Sequence, residues 1–265
     1  MPSILIFGLG YSAQVIAAHL RARGWQVAAT GSAGNLAFTD HPAVTQAIAR
    51  STHILSSVPP AGDTDPVLTT YGAAIAAHPA WRGYLSSTGV YGDTAGAWVD
   101  ETAPLNGRRP ARIAADRAWQ ALGAHIFRLP GIYGPGRSVL DRIAQSRAHR
   151  VDVPGQVFSR IHVDDIATGV LAAIDAPIPP TIWNLADDLP VAQNTVVEAA
   201  CTLLNAPLPP LRPLSQSGLP PVALDFYAEN RRVANGRAKR LLGWRPIWPT
   251  YVDGLRGILA GAGKG

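Results

Sequence analysis

The sequence predicts an α/β fold: a doubly wound parallel sheet of the Rossmann type with a smaller C-terminal substrate lobe. Three observations carry that expectation. The apolar run Ser3–Phe7 leads straight into Gly8-Leu9-Gly10 and then into a helical pattern. Short apolar runs then alternate with alanine-rich helical stretches as far as residue 129, the texture of a parallel sheet covered on both faces. The chain has 265 residues, 47% of them hydrophobic and 15% charged, enough apolar side chain for one large or two small domains and far from the composition of disorder.

Taken in order, residues 11–23 carry Val15, Ile16, His19 and Leu20 at helical spacing, and strands are expected at 26–29, 53–58, 83–86 and 125–129. Helices are expected between them near 43–50, 65–78 and 111–122. After Leu129 comes the loop Pro130-Gly131-Ile132-Tyr133-Gly134-Pro135-Gly136, at a strand's carboxyl end where open α/β sheets bind ligands, followed by a helical stretch to about residue 147. Asp164 or Asp165 is expected to cap a helix that carries Ile166, Val170, Leu171 and Ile174, rather than to hold a metal. A strand at 181–185, a proline-rich loop at 207–221 and a helix at 235–242 complete the reading. The expected division is 1–134 with 161–188 as the dinucleotide-binding domain, and 135–160 with 189–265 as the smaller lobe.

Several classes are set aside on composition. The single cysteine, Cys201, supports neither an internal disulfide nor a thiolate metal site and reads as a buried apolar residue. No apolar run reaches the roughly 18 residues of a membrane span, and no basic residue precedes the first apolar run, so a cytoplasmic location is expected with no membrane partner. The net charge of +5 is spread over dispersed arginines without interleaved aromatic residues, so nucleic acid is not expected either. Only Lys239 and Lys264 are lysines.

The first chemical motif is Gly8-Leu9-Gly10-Tyr11-Ser12-Ala13, a G-x-G-x-x-A between a strand and a helix. The first glycine allows the tight turn and the second lets the backbone approach a pyrophosphate. The alanine lets the helix pack close to the strand, and the helix amino terminus offers N–H donors. At the end of the second strand, where a carboxylate would select NAD, the chain has Thr30-Gly31-Ser32. NADP is therefore the expected cofactor, with NAD the alternative.

Further blocks follow at the ends of later strands: Ser86-Ser87-Thr88-Gly89-Val90-Tyr91-Gly92, Arg128 through Gly136, Arg160-Ile161-His162-Val163-Asp164-Asp165, Trp183-Asn184-Leu185-Ala186-Asp187, and Leu241 through Pro246. Their order and spacing resemble the extended short-chain dehydrogenase/reductase superfamily of the NAD-dependent epimerase/dehydratase type, over nearly the whole chain. The Ser56-Ser57-Val58-Pro59-Pro60 segment, the GVYGD…AWVDE stretch and GQVFSRIHVDDI are most similar to its atypical YeeZ-like branch. The resemblance implies cofactor contacts at Gly8, Gly10, Tyr11, Ser12, Thr30, Gly31, Ser32, Ser57, Val58, Pro59, Ser86, Arg112, Pro130 and Ile132. It implies substrate contacts at Tyr133, Arg137, Arg160 and His162.

The chain departs from that family where proton transfer is concerned. Typical members carry Tyr-x-x-x-Lys, and no tyrosine here has a lysine four residues on. Laid on that pattern, Arg108 stands for the tyrosine and Arg112 for the lysine, with Asp116 at the acidic position beyond. A guanidinium is a poor proton donor, so Ser87 and Tyr91 are the expected catalytic residues and Arg112 a cofactor anchor. Tyr133…Arg137 and Tyr227…Arg231, each Y-x-x-x-R, read as chance matches. The expected function is NADP-dependent oxidoreduction or isomerisation of a small polar or sugar-like molecule; the alternative is a non-catalytic dinucleotide-binding protein that senses redox state or acts as a scaffold. A small-molecule substrate is the expected partner, with a homodimer left open.

Overall fold

Ile4, Leu5, Ile6 and Phe7 are each at most 1% exposed, so the first strand has no solvent face and must lie inside a sheet covered on both sides. The computed structural model describes residues 1–262 and shows that arrangement. Strands β1 (Ser3–Phe7), β2 (Gln26–Ala29), β3 (His53–Ser56), β4 (Trp81–Ser87), β6 (His125–Leu129) and β10 (Ile182–Asn184) form one all-parallel sheet in the order β10-β6-β4-β3-β1-β2. The chain passes from β1 outward to β2 and then back across β1 to β3. This reversal opens a crevice at the carboxyl ends of β1 and β3, the place where doubly wound sheets bind ligands.

The connecting helices are specified locally. Helices α2 (His41–Arg50) and α3 (Pro66–Ala77) each have an aspartate N-cap and a proline in the first turn; Asp65 Oδ1 accepts from the amides of Val67 and Leu68, both at 2.9 Å. With α4 (Pro110–Ala121) they cover one sheet face through Val44, Ile48, Ile75 and Trp119. Helices α1 (Tyr11–Ala22) and α6 (Val163–Asp175) cover the other through Ile16, Leu20, Ile166 and Val170. A third core joins α5 (Val139–Ala144), α7 (Gln193–Leu204) and α10 (Tyr251–Ala262), and Cys201 is buried within it.

Four expectations change in detail. The 130–136 stretch is not wholly loop: Gly131–Tyr133 is a short strand, β7, paired in parallel with β9 (Arg160–His162). The helix expected to run to residue 147 ends at Ala144. Neither Asp164 nor Asp165 caps α6; His162 does, its Nδ1 accepting from the Asp164 amide at 3.3 Å. The proline-rich segment contains β11 (Leu211–Pro213), which pairs with β8 (Arg150–Asp152). Strand β5 (Trp98–Val99) pairs with β12 (Arg232–Val233), and α8 (Pro221–Tyr227) and α9 (Gly236–Leu241) flank β12 in sequence. Of the smaller lobe expected from the sequence, 263–265 lie outside the described residues.

Candidate active site

The glycine turn is built by two glycines with different duties. Gly8 has φ +82°, and a Cβ there would lie 2.8 Å from Val58 Cγ2, so the turn closes down on the strand end of β3. Ser57 tightens the same joint: its amide donates to the Phe7 carbonyl at 2.9 Å and its hydroxyl donates to the Gly8 carbonyl. Gly10 is the N-cap of α1, and a Cβ at that position would meet no heavy atom within 4 Å, so open space lies over the helix end. No side chain caps that end and no acidic residue stands in its first turn, while Ala13 is fully buried against the sheet. Free helix N–H groups beneath open space fit the pyrophosphate of a dinucleotide.

The residues expected around the ribose divide. Thr30 is 1% exposed, and its hydroxyl accepts the Gly8 amide at 3.1 Å, so it braces the turn from below. Gly31 has φ +102° and leads to Ser32, which is exposed. Gly8, Thr30, Gly31, Ser32 and Val58 do not line the main cavity. Gly10, Tyr11, Ser12, Ser57, Pro59, Ser86, Arg112, Pro130 and Ile132 do.

At the end of β4 the two serines face different ways chemically. Ser86 is buried and donates to Asp116 Oδ2 at 2.6 Å. Asp116, fully buried, also receives Arg128 Nε at 3.1 Å and Nη2 at 2.9 Å, a two-point ion pair between α4 and β6. Arg128 Nη1 donates to the Tyr91 hydroxyl at 3.0 Å, and that hydroxyl donates to Asn184 Oδ1 at 2.7 Å. Tyr91 is 1% exposed, does not line the cavity, and has its acidity weakened by burial, with Arg128 opposing. The expectation that Tyr91 reaches a substrate is therefore corrected: its hydroxyl is committed to the core network. Ser87 does line the cavity, and its Oγ accepts the Gly89 amide at 3.1 Å.

The cavity has a volume of about 840 Å³ and runs from Gly10–Ala13 past Ser87 and Pro130–Ile132 to α5, Phe158 and α8. Seven arginines and two carboxylates line it. Arg108 and Arg109, at the head of α4, bind Asp225 of α8, and Arg108 and Arg231 bind Glu229. Arg112 and Arg142 make no ion pair with the described residues, and Arg137 lies over the Tyr11 ring, 5.5 Å from its centroid. The wall is strongly cationic and suits an anionic ligand.

The substrate residues expected on β7 and β9 are less open than the sequence implied. Arg160 lines the cavity but is 7% exposed; it donates to the Phe158 and Val191 carbonyls and to Gln193, and burial lowers its pKa to about 10. His162 is turned away from the cavity, wedged edge-on between Tyr133 and Trp248, a correction to its expected substrate contact. Its burial follows from β9 being a strand inside the joint rather than a projecting loop. Tyr133 lines the cavity, but its hydroxyl is buried against Gly254.

No protein-family model matches the chain. A solved structure of a functionally unknown conserved protein from Silicibacter pomeroyi is 39% identical to it, with a TM-score of 0.88, covering 98% of this chain and 99% of that one. The chain belongs to the family of that protein. Its fold is shared with a human epimerase family protein solved with NADPH, which aligns at a TM-score of 0.78 and 14% identity, over 97% of this chain and 99% of that one. A curated 3-diazoavenalumate denitrifying reductase from a Streptomyces species is 27% identical over 145 residues, 51% of this chain. The match spans about half of that relative's length, 46%.

Sequence reasoning missed the far wall of the cavity. His149, Arg142, Phe158 and Tyr227 line it, and of these only Phe158 falls in a segment that carries the family resemblance. The one signal was Tyr227-Ala228-Glu229-Asn230-Arg231, set aside as a chance match, of which Tyr227, Glu229 and Arg231 all reach the cavity.

Proposed function

We propose that the chain is an NADP-dependent oxidoreductase or isomerase acting on a small, anionic or sugar-like polar molecule. The observation that carries this reading is the continuity of one cavity from the open amino end of α1, which no side chain caps, to the arginines at the head of α4 (Arg108, Arg109 and Arg112) and at α5 (Arg137 and Arg142). Similarity to the human protein solved with NADPH and to the Streptomyces reductase supports it. When bound, a nicotinamide dinucleotide supplies or accepts a hydride.

The chain's own residues do the rest. The amides of Tyr11, Ser12 and Ala13, at the open end of α1, would hold the diphosphate, and the turn behind them is held by Ser57 and Thr30. Ser32 and the absence of a carboxylate at that strand end favour a 2′-phosphate over a free 2′-hydroxyl, which is the basis for NADP before NAD. Arg112, free of ion pairs among the described residues and on the cavity wall, would hold ribose or phosphate oxygens in place of the lysine of related proteins. Ser87 orients a substrate oxygen, and Arg137 and Arg142 hold the substrate's charge.

The reading is tested by following NADPH absorbance with sugar nucleotides and small carbonyl compounds. Turnover of one class, with simple ketones slow, is the expected result. Arg112→Ala is expected to weaken NADPH binding without unfolding the chain. No turnover of any compound, together with tight NADPH binding, favours the binding-protein alternative instead.

A further inference from the structure

Four tyrosines line the cavity, and their hydroxyls are in different situations. That of Tyr11 donates to the Pro135 carbonyl at 3.0 Å. That of Tyr133 is buried against Gly254, and Tyr251 packs into the core of α5, α7 and α10. The hydroxyl of Tyr227 lies 3.4 Å from Nε2 of His149, and both residues line the cavity. Phe158 packs edge-on against the Tyr227 ring, with centroids 5.6 Å apart, which fixes the direction of the phenol.

The segment that carries Tyr227 is tied to the head of α4. Arg108, which stands where the acid tyrosine falls in the Tyr-x-x-x-Lys pattern, donates to the Asp225 carbonyl at 2.8 Å and to Glu229 at 3.2 Å. Arg109 holds the Asp225 carboxylate at 3.2 Å. The arginine at the lost tyrosine's place thus anchors, from both sides, the segment presenting another tyrosine.

We propose that Tyr227 is the catalytic acid–base of this cavity and that His149 is its positioning and proton-relay residue, an inference that rests on the oxidoreductase reading above. In the oxidative direction the phenol oxygen takes the proton of a substrate hydroxyl while its own proton passes to Nε2 of neutral His149. The electron pair of the broken substrate O–H bond closes the C=O bond as the C–H bond at the same carbon breaks, its hydrogen leaving with both electrons as hydride, for which a bound nicotinamide dinucleotide would be the two-electron acceptor. His149 then loses its proton to solvent through a second opening that it lines with Ser146 and Arg147. In the reductive direction each proton moves the opposite way.

The surroundings suit this relay. Burial and the neighbouring charge of Arg142 lower the imidazole pKa, so it is an unprotonated acceptor at neutral pH. Burial raises the phenol pKa, while Arg142 and Arg160 oppose that rise and so ease transfer of the phenol proton to His149.

The test places 3-fluorotyrosine at position 227 and follows its fluorine resonance with pH in the cofactor-free protein. The expected result is an inflection at the His149 titration, below pH 6.5, that disappears in His149→Gln. A resonance without that inflection overturns the proposal. If the label disturbs folding, the His149 ring resonances are followed in wild type and Tyr227→Phe, where an unchanged imidazole pKa overturns it equally. On the panel of sugar nucleotides and carbonyl compounds, Tyr227→Phe is expected to lower kcat by about 10² or more. Turnover that survives Tyr227→Phe contradicts the proposal. Calorimetry with NADPH separates the two readings: Tyr227→Phe leaves affinity unchanged, whereas absence of binding to wild type strikes the cofactor reading itself.

Discussion

A Cβ at position 10 would meet no heavy atom within 4 Å, and an aspartate there supplies a favourable N-cap for α1, so Gly10→Asp is expected to keep or slightly raise the melting temperature while abolishing NADPH binding. Gly8→Ala is the contrasting case: φ +82° and contact with Val58 predict a loss of fold stability. Thermal unfolding with and without NADPH separates the two. Tyr91→Phe is expected to cost about 1–3 kcal/mol in urea unfolding, because it strips a partner from both Arg128 and Asn184, and to leave NADPH affinity unchanged. The glycine turn was legible in the sequence because its requirements are local. The role of Tyr91 was not, because its partners lie 37 and 93 residues away and nothing in the VYG block points to them.

At the scale of elements, the joint between β7, β9, α6 and α10 concentrates buried acidity. Asp165 accepts the Ile247 amide at the start of the last segment and the Trp248 amide at 3.3 Å, which ties α6 to the approach to α10. Burial raises Asp165 to about 7 and, with Arg160 opposing, Asp187 to about 8. Both values lie above the ordinary 3.8, so the folded state binds protons that the unfolded chain has released. The resulting stability is full below about pH 4 and is lost as pH rises through 7 to 8. Asp187→Asn keeps the side-chain shape, and is expected to flatten this decline and to raise stability at pH 8, measured by urea midpoints across the range. The sequence placed Asp164 and Asp165 at a helix start correctly but assigned them the cap. The actual task of Asp165 depends on a segment some 80 residues further on, which no helical pattern encodes. The strands of the sheet were read more surely, since residues 4–7 are apolar throughout and three of the five residues of His125–Leu129 are apolar.

Across the whole molecule, the sheet's reversal point places the glycine turn and the ends of β3, β4 and β6 along one side of a cavity, while the head of α4, the start of α5 and Arg160 and Arg231 make its lining cationic. The first side was legible because it follows from strand, turn and helix in sequence order. The far side was not, because proline-rich chain with short elements carries little periodicity, and the cavity's seven arginines gather only on folding. The division of the chain into two lobes, 1–134 with 161–188 and the remainder, remains our proposal, with the third apolar core of α5, α7 and α10 in its favour. The central claim is that the open end of α1 holds NADP(H), and the most direct measurement is thermal unfolding of wild type and Gly10→Asp with NADPH or NADH at matched concentration. Ligand at about 100 times its dissociation constant adds roughly 2.7 kcal/mol of stability. The account predicts a raised melting temperature for wild type, larger with NADPH than with NADH, and none for Gly10→Asp; an unchanged melting temperature for wild type with both dinucleotides would contradict it.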